Sequence, residues 1–150
     1  MKKSILIFNA LISITCFIIS TAQAFISGFT FQLAFLILFG IFGLIAIYNI
    51  FENKNVKNWF FILFVINLFQ SVSFIFLGIT FKFITGPDLT LYLIDASDNF
   101  IEFSFKIFNI FTDVSYIKTN QVVALGINLI HLFCSFFFYV QFKSGYVNKE

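Results

Sequence analysis

The chain has 150 residues, of which 60% are hydrophobic and 11% charged, with a formal net charge of +2 and a mean hydropathy of +0.99. A soluble domain carries about 25% charged residues, so the composition excludes a water-covered globule and predicts one membrane-embedded domain over residues 1–150. The 9 basic residues are all lysines and form no cluster, which argues against a nucleic-acid partner.

Lys2 and Lys3 precede a stretch from residue 4 to residue 51 without a charge. A helix rises about 1.5 Å per residue and the hydrocarbon core is about 30 Å thick. The stretch is therefore too long for one crossing and predicts two, at about 4–24 and 29–51, turning near Ser27 and Gly28. The first also matches the three regions of a cleavable signal peptide: Lys2-Lys3, the apolar run from Ile5 to Ile19, and Ala22-Gln23-Ala24. The short gap before the second crossing favours its retention. Gly40 and Gly43 offer a neighbouring helix a close approach.

After the polar link from Glu52 to Lys57, a third crossing is predicted at 58–81 and a fourth at 119–142, each bracketed by lysines (57 and 82, 118 and 143). Between them lies an outer loop, 82–118, opened by the turn signal Gly86-Pro87-Asp88. Within it Asp98, Glu102, Lys106, Asn109 and Asp113 recur at every third or fourth position. Phe100, Phe103, Ile107, Ile110, Phe111 and Val114 fill the other side. This predicts an amphipathic interfacial helix capped by Ser97 or Asp98; the alternation over 102–107 also suits a short strand. The expected fold class is all-α and polytopic: a bundle of about four transmembrane helices plus one interfacial helix. With the N-terminus inside, lysines 2, 3, 54, 57, 143 and 149 lie inside and lysines 82, 106 and 118 outside. That predicts both termini on the cytoplasmic-type side, of a cell membrane or else of an organelle inner membrane.

Three of the expected crossings carry polar stripes at helical spacing: Asn9, Ser13, Cys16, Ser20 and Gln23 in the first; Asn67, Gln70, Ser71 and Gly78 in the third; Gln121, Ala124, Asn128, His131 and Ser135 in the fourth. Lipid rejects such faces, so they should meet inside the bundle. The resulting candidate site is a polar network of Asn67, Gln70, Ser71, Asn128, His131 and Ser135, with Gln70 and His131 at mid-depth and a structural role. His131 is the only histidine, and the expected crossings hold no carboxylate, so neither a metal nor a haem site is expected. Cys16 and Cys134 lack redox spacing. Asp95, Asp98 and Glu102 read as a solvated face. No catalytic or cofactor-binding motif is present.

These features predict a non-enzymatic accessory or assembly subunit of a membrane complex, with the lipid bilayer and other membrane subunits as partners. The alternative is an inhibitory binder such as an immunity protein against a pore-forming bacteriocin, to which the chain is similar only in its expected topology. A small transporter or channel is a third reading, weakened by the lack of an intramembrane carboxylate.

Overall fold

The computed structural model describes residues 2–95, 100–116 and 122–144. The order of elements is α1 (Lys2–Ser27), α2 (Phe31–Phe51), α3 (Val56–Ser71), β1 (Val72–Phe76), β2 (Ile79–Ile94), β3 (Ile101–Tyr116), β4 (Ala124–Asn128) and α4 (Leu129–Lys143). The chain divides into two compact units, one of Met1–Asn67 with Phe133–Glu150 and one of Leu68–Leu132.

The first unit is helical. Gly28, at φ +87°, and Thr30 end one helix and begin the next, the Thr30 hydroxyl accepting from the Leu33 N–H at 3.2 Å. Side chains at Gly40 and Gly43 would collide with Ser13 and Phe17, so α1 and α2 pack closely at these two positions. Asn53 and Asn55 take positive φ in the link before α3, a conformation asparagine tolerates better than most residues. The core joins Leu6 of α1, Ala46, Ile47 and Ile50 of α2, Val56, Phe60 and Leu63 of α3, and Cys134 and Phe138 of α4. Phe60 and Phe138 stack at 6.1 Å, and Phe64 and Tyr139 meet at 5.4 Å. Two helices, Lys3–Ser27 and Phe31–Phe51, are long and apolar enough to cross a membrane by length and composition.

The second unit is a four-stranded antiparallel sheet in the order β1-β4-β2-β3, with a further β1–β2 pairing. The first hairpin turns through Leu77 and Gly78, both at positive φ, the geometry a two-residue loop needs to match strand twist. β2 is bent at Gly86, Pro87 and Asp88, where its register against β3 shifts. Before the bend it pairs with β1, beyond it with β4, and β1 and β4 pair with each other. These three strands thus close on one another, and β3 lines the outer side of β2. Gly126 sits opposite both Ser73 and Tyr92, where a β-carbon would strike both side chains, so the ring closes only around glycine.

The sheet overturns the all-α expectation. The third crossing expected at 58–81 is α3 as far as Ser71, then β1 and the start of β2. The fourth, expected at 119–142, has strand β4 at Ala124–Asn128 and only the 15 residues of α4; Thr119 and Gln121 lie outside the described residues. Helices of 16 and 15 residues reach about 24 Å, short of the bilayer's roughly 30 Å. A four-span, multi-pass bundle is therefore not what the chain forms. The expected interfacial helix is strand β3, and its expected caps Ser97 and Asp98 lie outside the described residues. The error has a physical source. From residue 72 to 94 the alternating polar positions are mostly filled by Ser, Thr and Tyr, which a search for charge-free runs cannot see.

Candidate functional site

Alternation divides the sheet residues between two faces. Phe74, Phe76, Phe81, Leu91, Leu93, Phe103, Phe105, Val114 and Leu125 share one; Ser73, Thr80, Lys82, Asp88, Thr90, Tyr92, Asn128, Glu102 and Asp113 share the other. The polar face is enclosed around the centre of β2, while Glu102 on β3 is exposed. Asp88 and Thr90 are fully buried and Asn128 is 1% exposed, whereas Phe103 is 63% and Phe105 61% exposed.

Asp88 is the centre of the polar face. One carboxylate oxygen accepts from the Thr90 hydroxyl and the other from the Asn109 amide at 2.9 Å. Lys82 Nζ stands 3.6 Å from the same carboxylate, donates to the Tyr92 hydroxyl at 2.5 Å, and lies over the rings of Tyr92 and Phe111. A buried carboxylate needs such a set of donors and a countercharge. Beside this cluster is a cavity of about 350 Å³ lined by Ser73, Thr80, Lys82, Tyr92, Glu102 and Asp113, among others. Ser73 Oγ is buried there without a hydrogen-bond partner.

The bend leaves β2 without a strand on its inner side between its β1-paired and β4-paired segments. Buried backbone polar groups must still be satisfied, and three residues singled out from the sequence do this. Gln70 Oε1 accepts from the Thr85 N–H at 3.1 Å and from the Thr85 hydroxyl at 2.7 Å. Asn128 Nδ2 donates to the Pro87 carbonyl at 3.1 Å. The His131 imidazole hydrogen-bonds to the Thr85 backbone. Asn128 also starts α4, its Oδ1 accepting from the N–H groups of Ile130 and His131. Gln70 and His131 thus converge on Thr85, on a strand instead of across a helix pair. Burial holds the His131 pKa down at about 4, with the Asp88 charge and the Thr85 hydrogen bond opposing the shift in part.

The other three sequence candidates lie elsewhere. Asn67 belongs to the helical unit, where it donates to Asn9 Oδ1 at 3.0 Å and to the Leu63 carbonyl at 2.9 Å. Ser135 is buried in that unit, and Ser71 donates locally to the Leu68 carbonyl at 2.7 Å. Sequence reasoning missed Lys82, Thr85, Asp88, Thr90, Tyr92 and Asn109. The signal for most of them was the period-two pattern on both sides of Gly86-Pro87-Asp88.

Among the described residues no group of three or more His, Cys, Asp or Glu could hold a metal ion. The polar groups around Asp88 and Thr85 are engaged with one another and with the backbone, an arrangement that holds the bend of β2. The apolar residues of β3 are the groups left in the open: Ile101, Phe103, Phe105 and Ile107 are 59%, 63%, 61% and 80% exposed. No family model matches the chain, and neither a curated protein nor a solved structure matches it.

Proposed function

We propose that the chain is a non-enzymatic accessory or assembly protein, held at the membrane by the α1–α2 hairpin and working by docking other protein along strand β3. The observation that carries this reading is the outer edge of β3. The strand runs 16 residues, pairs only with β2 among the described residues, and exposes large apolar side chains along its length. Long apolar edges are templates for strand addition, which natural sheets otherwise cover, charge or shorten. The absence of enzymatic activity is supported by the state of the site. His131 is 1% exposed and held neutral near pH 7, and the Asp88 carboxylate is occupied by three donors.

Membrane placement rests on α1 and α2. Lys2 and Lys3 open α1, and Lys54 and Lys57 follow α2, while the turn at residues 28–30 has no lysine. A hairpin with both lysine pairs on one side obeys the bias of lysine toward the cytoplasmic face. An even number of crossings then leaves both chain ends on that side. The similarity to bacteriocin immunity proteins rested on four crossings and loses that support.

A proline in β3 tests the docking role. The Ile94 N–H donates to the Phe100 carbonyl at 3.0 Å. Bonded and non-bonded pairs alternate along an antiparallel ladder, so the backbone groups of Ile101, Phe103 and Phe105 face away from β2. Phe105→Pro therefore removes an outward N–H and leaves the β2 ladder its bonds. The expected result is a drop in the native mass of the detergent-extracted assembly, with the chain still in the alkali-resistant membrane fraction. An unchanged native mass contradicts docking along β3.

A further inference from the structure

We infer that the occupant of the β3 edge is β3 of a second copy of this chain, paired antiparallel about a two-fold axis at Ile110. The inference rests on the docking role proposed for that edge and names its partner. Its first support is topological. β1 is paired on both sides, by β4 and β2, and β4 is paired on both sides, by β1 and β2. Among the described residues the sheet has one open edge, that of β3. A sheet with a single edge can add one copy of itself and then has none left. Self-pairing gives a closed dimer and not a fibre.

The second support is register. β2 numbers the positions along β3: Tyr116 lies opposite Ile79, Val114 opposite Phe81, Asp113 opposite Lys82, Ile110 opposite Thr85, Lys106 opposite Asp88, Phe105 opposite Leu89 and Phe103 opposite Leu91. A two-fold axis perpendicular to the sheet keeps the polar and apolar faces in line only when like positions meet. An axis at Ile110 meets that condition. It sets Phe103 against Tyr116, Phe105 against Val114 and Ser104 against Ser115. It also sets Lys106 against Asp113, twice by symmetry. Continued into β2 of each copy, the row across the dimer reads Lys82, Asp113, Lys106 of the second copy, Asp88 of the second copy, so that charges alternate across four strands. Opposite charges at facing positions stabilise a ladder and like charges weaken it. A register setting Lys106 against Glu102 also alternates charge, but it overlaps only the part of β3 from the bulge to Ile101. One setting Glu102 against Asp113 brings like charges together. The long register is therefore the favoured one, and it places the exposed Phe103 and Phe105 beside apolar partners.

The test is disulfide trapping in the full-length chain in native membranes, with Cys16 and Cys134 first replaced by Ala. At the axis the two Ile110 Cα atoms stand about 5.5 Å apart, within disulfide reach. Ile110→Cys should cross-link with itself on mild oxidation, to twice the 17.3 kDa chain mass. Phe105→Cys and Val114→Cys should each stay monomeric alone and cross-link when co-expressed. If Phe105→Pro lowers the native mass and Ile110→Cys does not cross-link, the edge binds a different protein; the second-copy inference then fails and the docking role stands. If Phe105→Cys cross-links with itself, the register is wrong. If Phe105→Pro changes nothing, the docking role fails, and the dimer with it.

Discussion

At the scale of the residue, several of the polar side chains that stand out in this apolar chain hydrogen-bond to backbone. Gln70, Asn128 and His131 supply hydrogen bonds that a neighbouring strand would supply to the bent part of β2. His131 gives this a pH signature. Its pKa is near 4 in the folded chain, below the 6.5 of an unhindered imidazole. Between those values the unfolded chain takes up a proton that the folded one does not. Its contribution to stability is therefore complete above pH 6.5 and is lost as the pH falls toward 4, by on the order of 3 kcal/mol. Denaturant titrations of the detergent-solubilised protein at pH 7.5 and 4.5 should show that loss, and His131→Gln should remove most of the difference. An equal loss in the variant would assign the pH dependence to carboxylates. Gly126 makes a second prediction: Gly126→Ala forces the Ser73 and Tyr92 side chains aside and should cost about 1–3 kcal/mol, the usual range for overpacking. A neutral effect in the same titration would mean that the ring of β1, β4 and β2 is looser than described.

At the scale of the element, α1, α2 and the turn between them were legible in the sequence, because an uninterrupted apolar run with a Gly-Phe-Thr break leaves few alternatives. The close approach at Gly40 and Gly43 was legible for the same reason, since small residues on an apolar helix have few other uses. The sheet was not legible. Residues 58–81 and 119–142 have the length and the flanking lysines of crossings, and run length alone cannot separate a buried helix from a helix followed by a strand. Leu77-Gly78 was the overlooked break: no helix continues through two residues at positive φ. In β3 the bulge opposite Pro87 shifts the alternation by one position, so polar residues fall at even numbers before it and odd numbers after it. Read as one series, Glu102, Lys106, Asn109 and Asp113 imitate a helical period. The polar residues stand out by their oddity in an apolar chain, but the partners of Gln70, His131 and the Asn128 amide lie on a strand that the helical reading did not contain.

At the scale of the whole molecule, the chain has a hydrophobic hairpin long and apolar enough to cross a bilayer, a sheet whose polar side is closed around Asp88 and, among the described residues, one open edge. The proposed docking role requires that β3 be covered at the membrane. Residue-resolved amide exchange on the protein in native membranes tests it most directly, because the two sets of β3 amides have different partners. Glu102, Ser104 and Lys106 are bonded to β2 and should exchange slowly whether or not the edge is occupied. Phe103 and Phe105 face outward, opposite Tyr116 and Val114 of the second copy; both should be slow in the intact assembly, and Phe103 should be fast in Phe105→Pro. Outward amides that exchange quickly in the intact membrane, beside slow ones at 102, 104 and 106, would contradict the account.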